Sequence, residues 1–453
     1  MRTLSILTVA CCILGPTAES VSEASDDLAS VGWQLLRTKS YLPADFSQTV
    51  IDDIWRVWPV RERNLAAKAS PAERRQMIFS RYGLMEPPEG SGTGPALGYV
   101  DDGKGGWVMS CLACHAGKVA GRVIPGLPNS HFALHSLVED VWLTKLRLFE
   151  RPAHLDLASF KMPLGTTHGT TNSVIFGVLL AQRRDLDMQV VPAQPARRPI
   201  HHDMDAPPFW NVKKKLSLYA DGFAPKNHRV LMQFVLLPEN GADTLTSWED
   251  DYRAILAWIE SLQPPAYPFD VDRALANEGR VVFESHCSSC HGTYGPEGEY
   301  EQTIVALDKV GTDPVRLNAL TREHREWLRD GWMSNYGQDE VDVDPVGYVA
   351  PPLDGIWATA PYFHNGSVPT LWHVLHPDER PIVWKRTENG FDQNRVGLEI
   401  QTFDDVPSAV DTPYGRRQHF DTRRLGKSAQ GHLFPKQLTE PQRRVVLEFL
   451  KTL

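Results

Sequence analysis

The chain is poor in cysteine and in long apolar runs. Six cysteines stand in 453 residues, and two of these, Cys11 and Cys12, lie in an apolar N-terminal run. Cys111, Cys114, Cys287 and Cys290 remain, too few and too tightly grouped for a disulfide-stapled scaffold. Apart from Leu4 to Leu14, no stretch is apolar enough to suggest a membrane span, so the chain reads as no integral membrane protein. Positive charge is not in excess either: 47 lysines and arginines against 56 acidic residues leave a net charge of -9, which argues against nucleic acid as a partner. What is present is ordinary globular material, 42% hydrophobic and 23% charged, with 34 prolines and 33 glycines that call for abundant loops. The length suits two domains, each with its own core.

The opening, MRTLSILTVACCILGPTAES, has one early arginine, an apolar run and then small and polar residues. That order is a secretory signal peptide over residues 1–20, with Ala18-Glu19-Ser20 as the cleavage site and a periplasmic or secreted destination. A lipoprotein attachment at Cys11 or Cys12 is the weaker alternative, because Thr8-Val9-Ala10 matches that signal poorly. With the run removed, every remaining cysteine belongs to one motif.

That motif is Cys-x-x-Cys-His, in Cys111-Leu112-Ala113-Cys114-His115 and again in Cys287-Ser288-Ser289-Cys290-His291. At this cysteine content even one copy arises by chance roughly a few times in a thousand such sequences, so two are not coincidence. A redox dithiol needs no histidine after the second cysteine, and zinc would need both pairs brought together or further ligands nearby. Covalent haem explains every position: both sulfurs form thioethers with the porphyrin vinyl groups, and the histidine supplies an axial nitrogen. The expected cofactors are two covalently bound haem c groups, one on Cys111, Cys114 and His115 and one on Cys287, Cys290 and His291. Each motif histidine should donate its other ring nitrogen to a carbonyl or carboxylate.

Periodicity predicts helices over residues 134–149, 173–184, 246–262, 272–284 and 439–453, and Ser70-Pro71 marks another helix start. The tract 22–97 otherwise mixes short helical patterns with loop, including Pro87 to Gly92, and 190–205 reads as loop. Three prolines within Pro264 to Pro268 mark a stiff linker. The expected fold is mostly α, two cytochrome c-like domains with long loops and few short strands. The domains are 21–263, an N-terminal haem domain with loop insertions, and 271–453, a C-terminal cytochrome c domain, joined by the linker 264–270.

The run APPLDGIWATAPYFHNGSVPTL, from Ala350 to Leu371, resembles the segment after the second haem in the bacterial di-haem cytochrome c peroxidase superfamily, which also holds MauG-type enzymes and rubber oxygenases. The rubber-oxygenase branch is resembled further at Asp205 to Asn211 (DAPPFWN), at the linker Pro264 to Pro268, and at Phe420-Asp421-Thr422 followed by Gly431-His432. Together these cover roughly residues 95 to 453. The resemblance implies an exported redox enzyme with one haem as reaction site and the other as electron relay. Where the peroxidases place an iron-ligating methionine, this chain has Phe363, so another group must serve. His432 resembles the ligating histidine of the rubber oxygenases, and His364 is the alternative.

At the first haem, His131 stands where resting peroxidases carry a loop histidine, with His135 a helical turn further on; a surface or capping role is the plainer alternative. Phe209 and Trp210 resemble aromatics that line the reactive haem pocket, and Trp107 is a further packing candidate. The expected activity is peroxide reduction at the N-terminal haem, with hydrogen peroxide or dioxygen as oxidant and a small redox protein as donor. Oxygenation of an apolar substrate and non-catalytic electron transfer are the alternatives. A bridging calcium is implied only by the peroxidase resemblance, and no acidic loop calls for it.

Overall fold

The computed structural model describes residues 18–88, 93–192 and 200–453. Most of the expected signal peptide, with Cys11 and Cys12, lies outside the described residues, as do Glu89 to Gly92 and the centre of the 190–205 loop. The principal helices are α1 (Ala18–Thr38), α2 (Pro71–Tyr82), α3 (Leu134–Leu148), α4 (Glu249–Ser261), α5 (Arg273–His286) and α6 (Glu440–Leu450). Strands are few, mostly short and antiparallel throughout, so the mostly α expectation holds among the described residues. No helix among them is long and apolar enough to cross a membrane.

Helix starts follow local chemistry. Ser70 accepts the Glu73 N–H while the Glu73 carboxylate receives the Ser70 N–H, a capping box with Pro71 at the first helical position. Thr439 and Gln442 repeat it at α6. The expected helix over 246–262 is broken instead: a short helix, Ala242–Ser247, ends and α4 restarts after Trp248.

Two helix crossings organise the chain. α1 crosses α4 at Gly32, where a Cβ would stand 2.0 Å from the Ala254 carbonyl oxygen, and α5 crosses α6 at Gly279, where it would stand 1.9 Å from that of Val445. Beside each glycine an aromatic pair packs across, Trp33 on Trp258 and Phe283 on Phe449, both with ring centres 5.2 Å apart. The first crossing joins the two ends of the N-terminal half, which sequence reading had not anticipated. The second is the helix arrangement expected of a cytochrome c domain.

The halves interlock. Leu320, Leu328 and Trp332, beyond the linker, share an apolar cluster with Leu112, Phe209 and Met188, while Leu127 and Trp210 join Phe283 and Trp357 in another. Asp221, fully buried, accepts hydrogen bonds from Arg316 at 2.8 and 3.1 Å and from Arg325 at 3.1 Å. The linker is pinned as well: the Trp357 indole donates to the Pro265 carbonyl at 2.8 Å, and Tyr267 packs edge-on against the same indole.

Candidate functional site

At the first motif Cys111–Ala113 forms a single 3-10 turn, and His115 follows just before the hairpin of β1 (Ala116–Val119) and β2 (Arg122–Pro125). Asn129 wraps the turn: its N–H bonds the Cys114 carbonyl at 2.8 Å and its amide bonds the carbonyls of Ala113 (3.0 Å) and Gly83 (2.9 Å). Burial pushes the Cys111 thiol up to about 11 and the Cys114 thiol up to about 12. Among the described residues no group of three or more His, Cys, Asp or Glu could hold a metal ion, so the two pairs do not converge on a split zinc site and no such cluster supports calcium.

His115 donates through Nδ1 to the Pro207 carbonyl at 3.0 Å. A carbonyl can only accept, so the tautomer is set and Nε2 keeps its lone pair. Burial, opposed by this hydrogen bond, holds the imidazole near 4, neutral at physiological pH. Phe209 lies flat on its ring, centres 3.8 Å apart and planes 16° apart.

The second motif repeats the design. α5 ends at His286, Cys287 is its C-cap, and one turn carries Ser288 to His291. His291 Nδ1 donates to the Pro351 carbonyl at 2.9 Å. The two acceptors are the same residue of a repeated triplet, Ala206-Pro207-Pro208 and Ala350-Pro351-Pro352. That repeat was legible in the sequence and was missed. The expectation that both motif histidines donate to a carbonyl holds. The residues after the first triplet reach the second and its continuation: Asn211 donates to the Pro352 carbonyl at 2.9 Å and the Trp210 indole to that of Asp354 at 2.8 Å.

Opposite His291 stands His432, ring centres 6.3 Å apart. Two metal–nitrogen bonds of about 2 Å and about 1.1 Å from each nitrogen to its ring centre sum to roughly 6.2 Å, close to this separation, so the spacing fits one iron between them. His432 adopts φ +49°, its N–H bonds the Val310 carbonyl at 2.6 Å, and Gly431 before it comes so close to Gly311 that a Cβ would stand 2.2 Å from that residue's carbonyl carbon. Burial, with the neighbouring His291 ring and the Arg380 charge, holds its imidazole near 3. His364 is placed elsewhere, stacked on Tyr348 with centres 4.3 Å apart. Phe363 approaches His432 at 5.9 Å and carries the Arg380 guanidinium over its ring.

The other expected residues are dispersed. His131 lines a cleft between the halves with Leu127, Ser130 and Arg386. His135 accepts from the Leu164 N–H at Nδ1 (3.0 Å) and faces Glu139 at 3.3 Å, so both its nitrogens are engaged within its own half. Trp210 is buried at the junction of the halves, and Trp107 packs against Phe46 and Tyr99.

Residues 347–385 match the family described as RoxA-like, cytochrome c-like. This segment is cytochrome c-like. It contains Pro351, His364 and Arg380, and it supports a haem c cofactor and a haem-dependent oxidoreductase character for the chain. The chain is similar to two uncharacterized proteins of Sinorhizobium fredii. It is 31% identical to y4iM over 200 residues, 39% of this chain and 44% of that relative, and 26% identical to y4iJ over 230 residues, 38% and 37%. It thus spans less than half the length of either relative.

Proposed function

We propose that the chain is an exported two-haem c-type cytochrome that reduces peroxide at the haem on Cys111 and Cys114, while the haem on Cys287 and Cys290 relays electrons from a small redox protein. The observation that carries this reading is the His291–His432 pair, two neutral imidazoles spaced for a single iron behind a Cys-x-x-Cys-His turn. When bound, haem supplies one-electron redox chemistry and, where an axial position is open, a place for peroxide or dioxygen. His291 and His432 would hold the iron of the C-terminal site from both sides, which would suit it to relay alone. Oxidant binding then falls to the N-terminal site, which His115 serves from one side with Phe209 fixing its ring. Pro207 to Asn211 join the two sites in one bonded route, from His115 through the Pro207 carbonyl and the Asn211 amide to Pro352, beside the acceptor of His291.

A second reading, oxygenation of an apolar substrate, is favoured by the RoxA-like match and by the apolar residues Val119, Leu127, Phe391 and Leu398 in the interdomain cleft. The haem-loaded protein separates the two. A pyridine spectrum should count two haem c groups, and one low-spin bis-histidine signal should vanish in His432→Ala but survive in His364→Ala. Peroxide should be consumed with ascorbate or a reduced small cytochrome as donor. Oxygen uptake with an apolar polyene, without peroxide, would move the assignment to the oxygenase. Spectra indifferent to peroxide, dioxygen and cyanide would leave only an electron carrier.

A further inference from the structure

The cleft between the halves has one wall on the N-terminal side, with Val119, Leu127 and Ser130, and one on the hairpin of β3 (Val383–Asp392) and β4 (Gly397–Phe403), with Arg386, Phe391 and Leu398. The first wall is continuous with Asn129, whose N–H bonds the Cys114 carbonyl, so the cleft adjoins the first motif. On the second wall the strand register shifts between Arg386 and Phe391.

Arg386 is the unusual group. Its hydrogen bond among the described residues goes to Ser130 Oγ at 3.1 Å, and it forms no ion pair with a described carboxylate. A guanidinium carries five N–H donors, and this one, half-buried in the cleft, bonds Ser130 through a single nitrogen. Burial lowers this one to about 9, against the weaker pull of Tyr414 and Asp205. Asp205 forms no ion pair with it among the described residues: burial drives that carboxyl well above its ordinary range, against the pull of Arg386, and its Oδ1 has no hydrogen-bond partner there. His168 nearby is held neutral by its burial and by the charges of Arg386, Arg417, Arg81 and Lys385. The fork can meet an acceptor of two hydrogen bonds, and Val119, Leu127, Phe391 and Leu398 give the mixed lining an apolar part beside it.

We propose that Arg386 and Ser130 form a carboxylate-binding site at the junction of the two halves, beside the first haem motif. The carboxylate comes either from a propionate of the haem on Cys111 and Cys114 or from the head of an amphipathic acid entering the cleft. The propionate source rests on the haem attachment proposed above; the acid source does not.

The test uses the full haem-loaded chain as wild type, Arg386→Gln, Arg386→Lys and Ser130→Ala, with fold checked by circular dichroism and haem counted by pyridine spectrum. Two readouts follow: the midpoint potential of the N-terminal haem by spectroelectrochemistry, and titration with laurate, with dodecanol as control, followed by tryptophan fluorescence. A propionate partner predicts a lower potential in Arg386→Gln, with laurate inert. An acid ligand predicts saturable binding of laurate but not dodecanol, weakened roughly tenfold or more in Arg386→Gln and less in Arg386→Lys. Should Arg386→Gln fail to fold, Ser130→Ala, which removes one partner only, must show the same change in smaller measure. Unchanged potentials together with no laurate binding overturn the site. A haem count of zero would instead sink the haem reading and leave the laurate result to decide this one.

Discussion

His432 is carried by a loop rather than a helix, so its direction depends on what holds that loop. Arg380 donates to the carbonyls of Ala429 (2.7 Å) and Gly431 (2.8 Å) on one side and of His373 (2.9 Å) on the other, with its guanidinium over Phe363. Charge-assisted bonds of this kind contribute roughly 1.5–3 kcal/mol, and losing them strands buried carbonyls. Arg380→Gln should therefore lower thermal stability by about that much and convert part of the low-spin signal to high spin, read by electron paramagnetic resonance. An unaltered low-spin signal would show that the loop holds His432 without it. Phe209 makes the corresponding prediction at the other site: Phe209→Ala should cost about 3 kcal/mol and perturb only the N-terminal haem spectrum.

At the scale of elements, the two glycine crossings set how the helices meet. Gly279→Ala forces a methyl into the Val445 carbonyl and should part α5 from α6, costing roughly 1–3 kcal/mol or more and reducing haem incorporation at Cys287 and Cys290. Ser70→Ala serves as contrast: it removes only the cap of α2, should cost about 1 kcal/mol, and should leave both haem spectra unchanged. The cap was legible beforehand because Ser70, Pro71 and Glu73 are neighbours in the chain and their hydrogen bonds are local. The crossing at Gly32 was not, because its partner Ala254 lies far along the chain and nothing near Gly32 announces it.

At the scale of the molecule, the halves are clamped by charge as well as by apolar contact. Arg417 grips Glu139 on α3 with two hydrogen bonds of 2.6 and 2.7 Å. Burial raises the Glu139 carboxyl, but His135 and Arg417 outweigh it and hold the group near 2, below its ordinary 4.5. A depressed carboxyl stabilises the fold above its unfolded pKa, and that contribution is lost as pH falls from about 4.5 toward 2. Glu139→Gln should lower stability at neutral pH and flatten its decline over that acid range, measured by denaturant unfolding at successive pH values. Equal acid sensitivity in variant and wild type would remove the pair from the clamp.

The sequence by itself determined the haem-motif chemistry and the mostly α character, because Cys-x-x-Cys-His and helical periodicity act over a few neighbouring residues. It also held the twin Ala-Pro-Pro triplets, whose purpose was hidden because their partners lie 92 and 60 residues away. Only the tertiary structure decided that His432 and not His364 faces His291, since both are loop histidines and the choice depends on Arg380, Gly311 and Tyr348 packing around them. It alone brought Arg386 to Ser130, which are 256 residues apart, because which side chains share a cleft is settled by how the halves close.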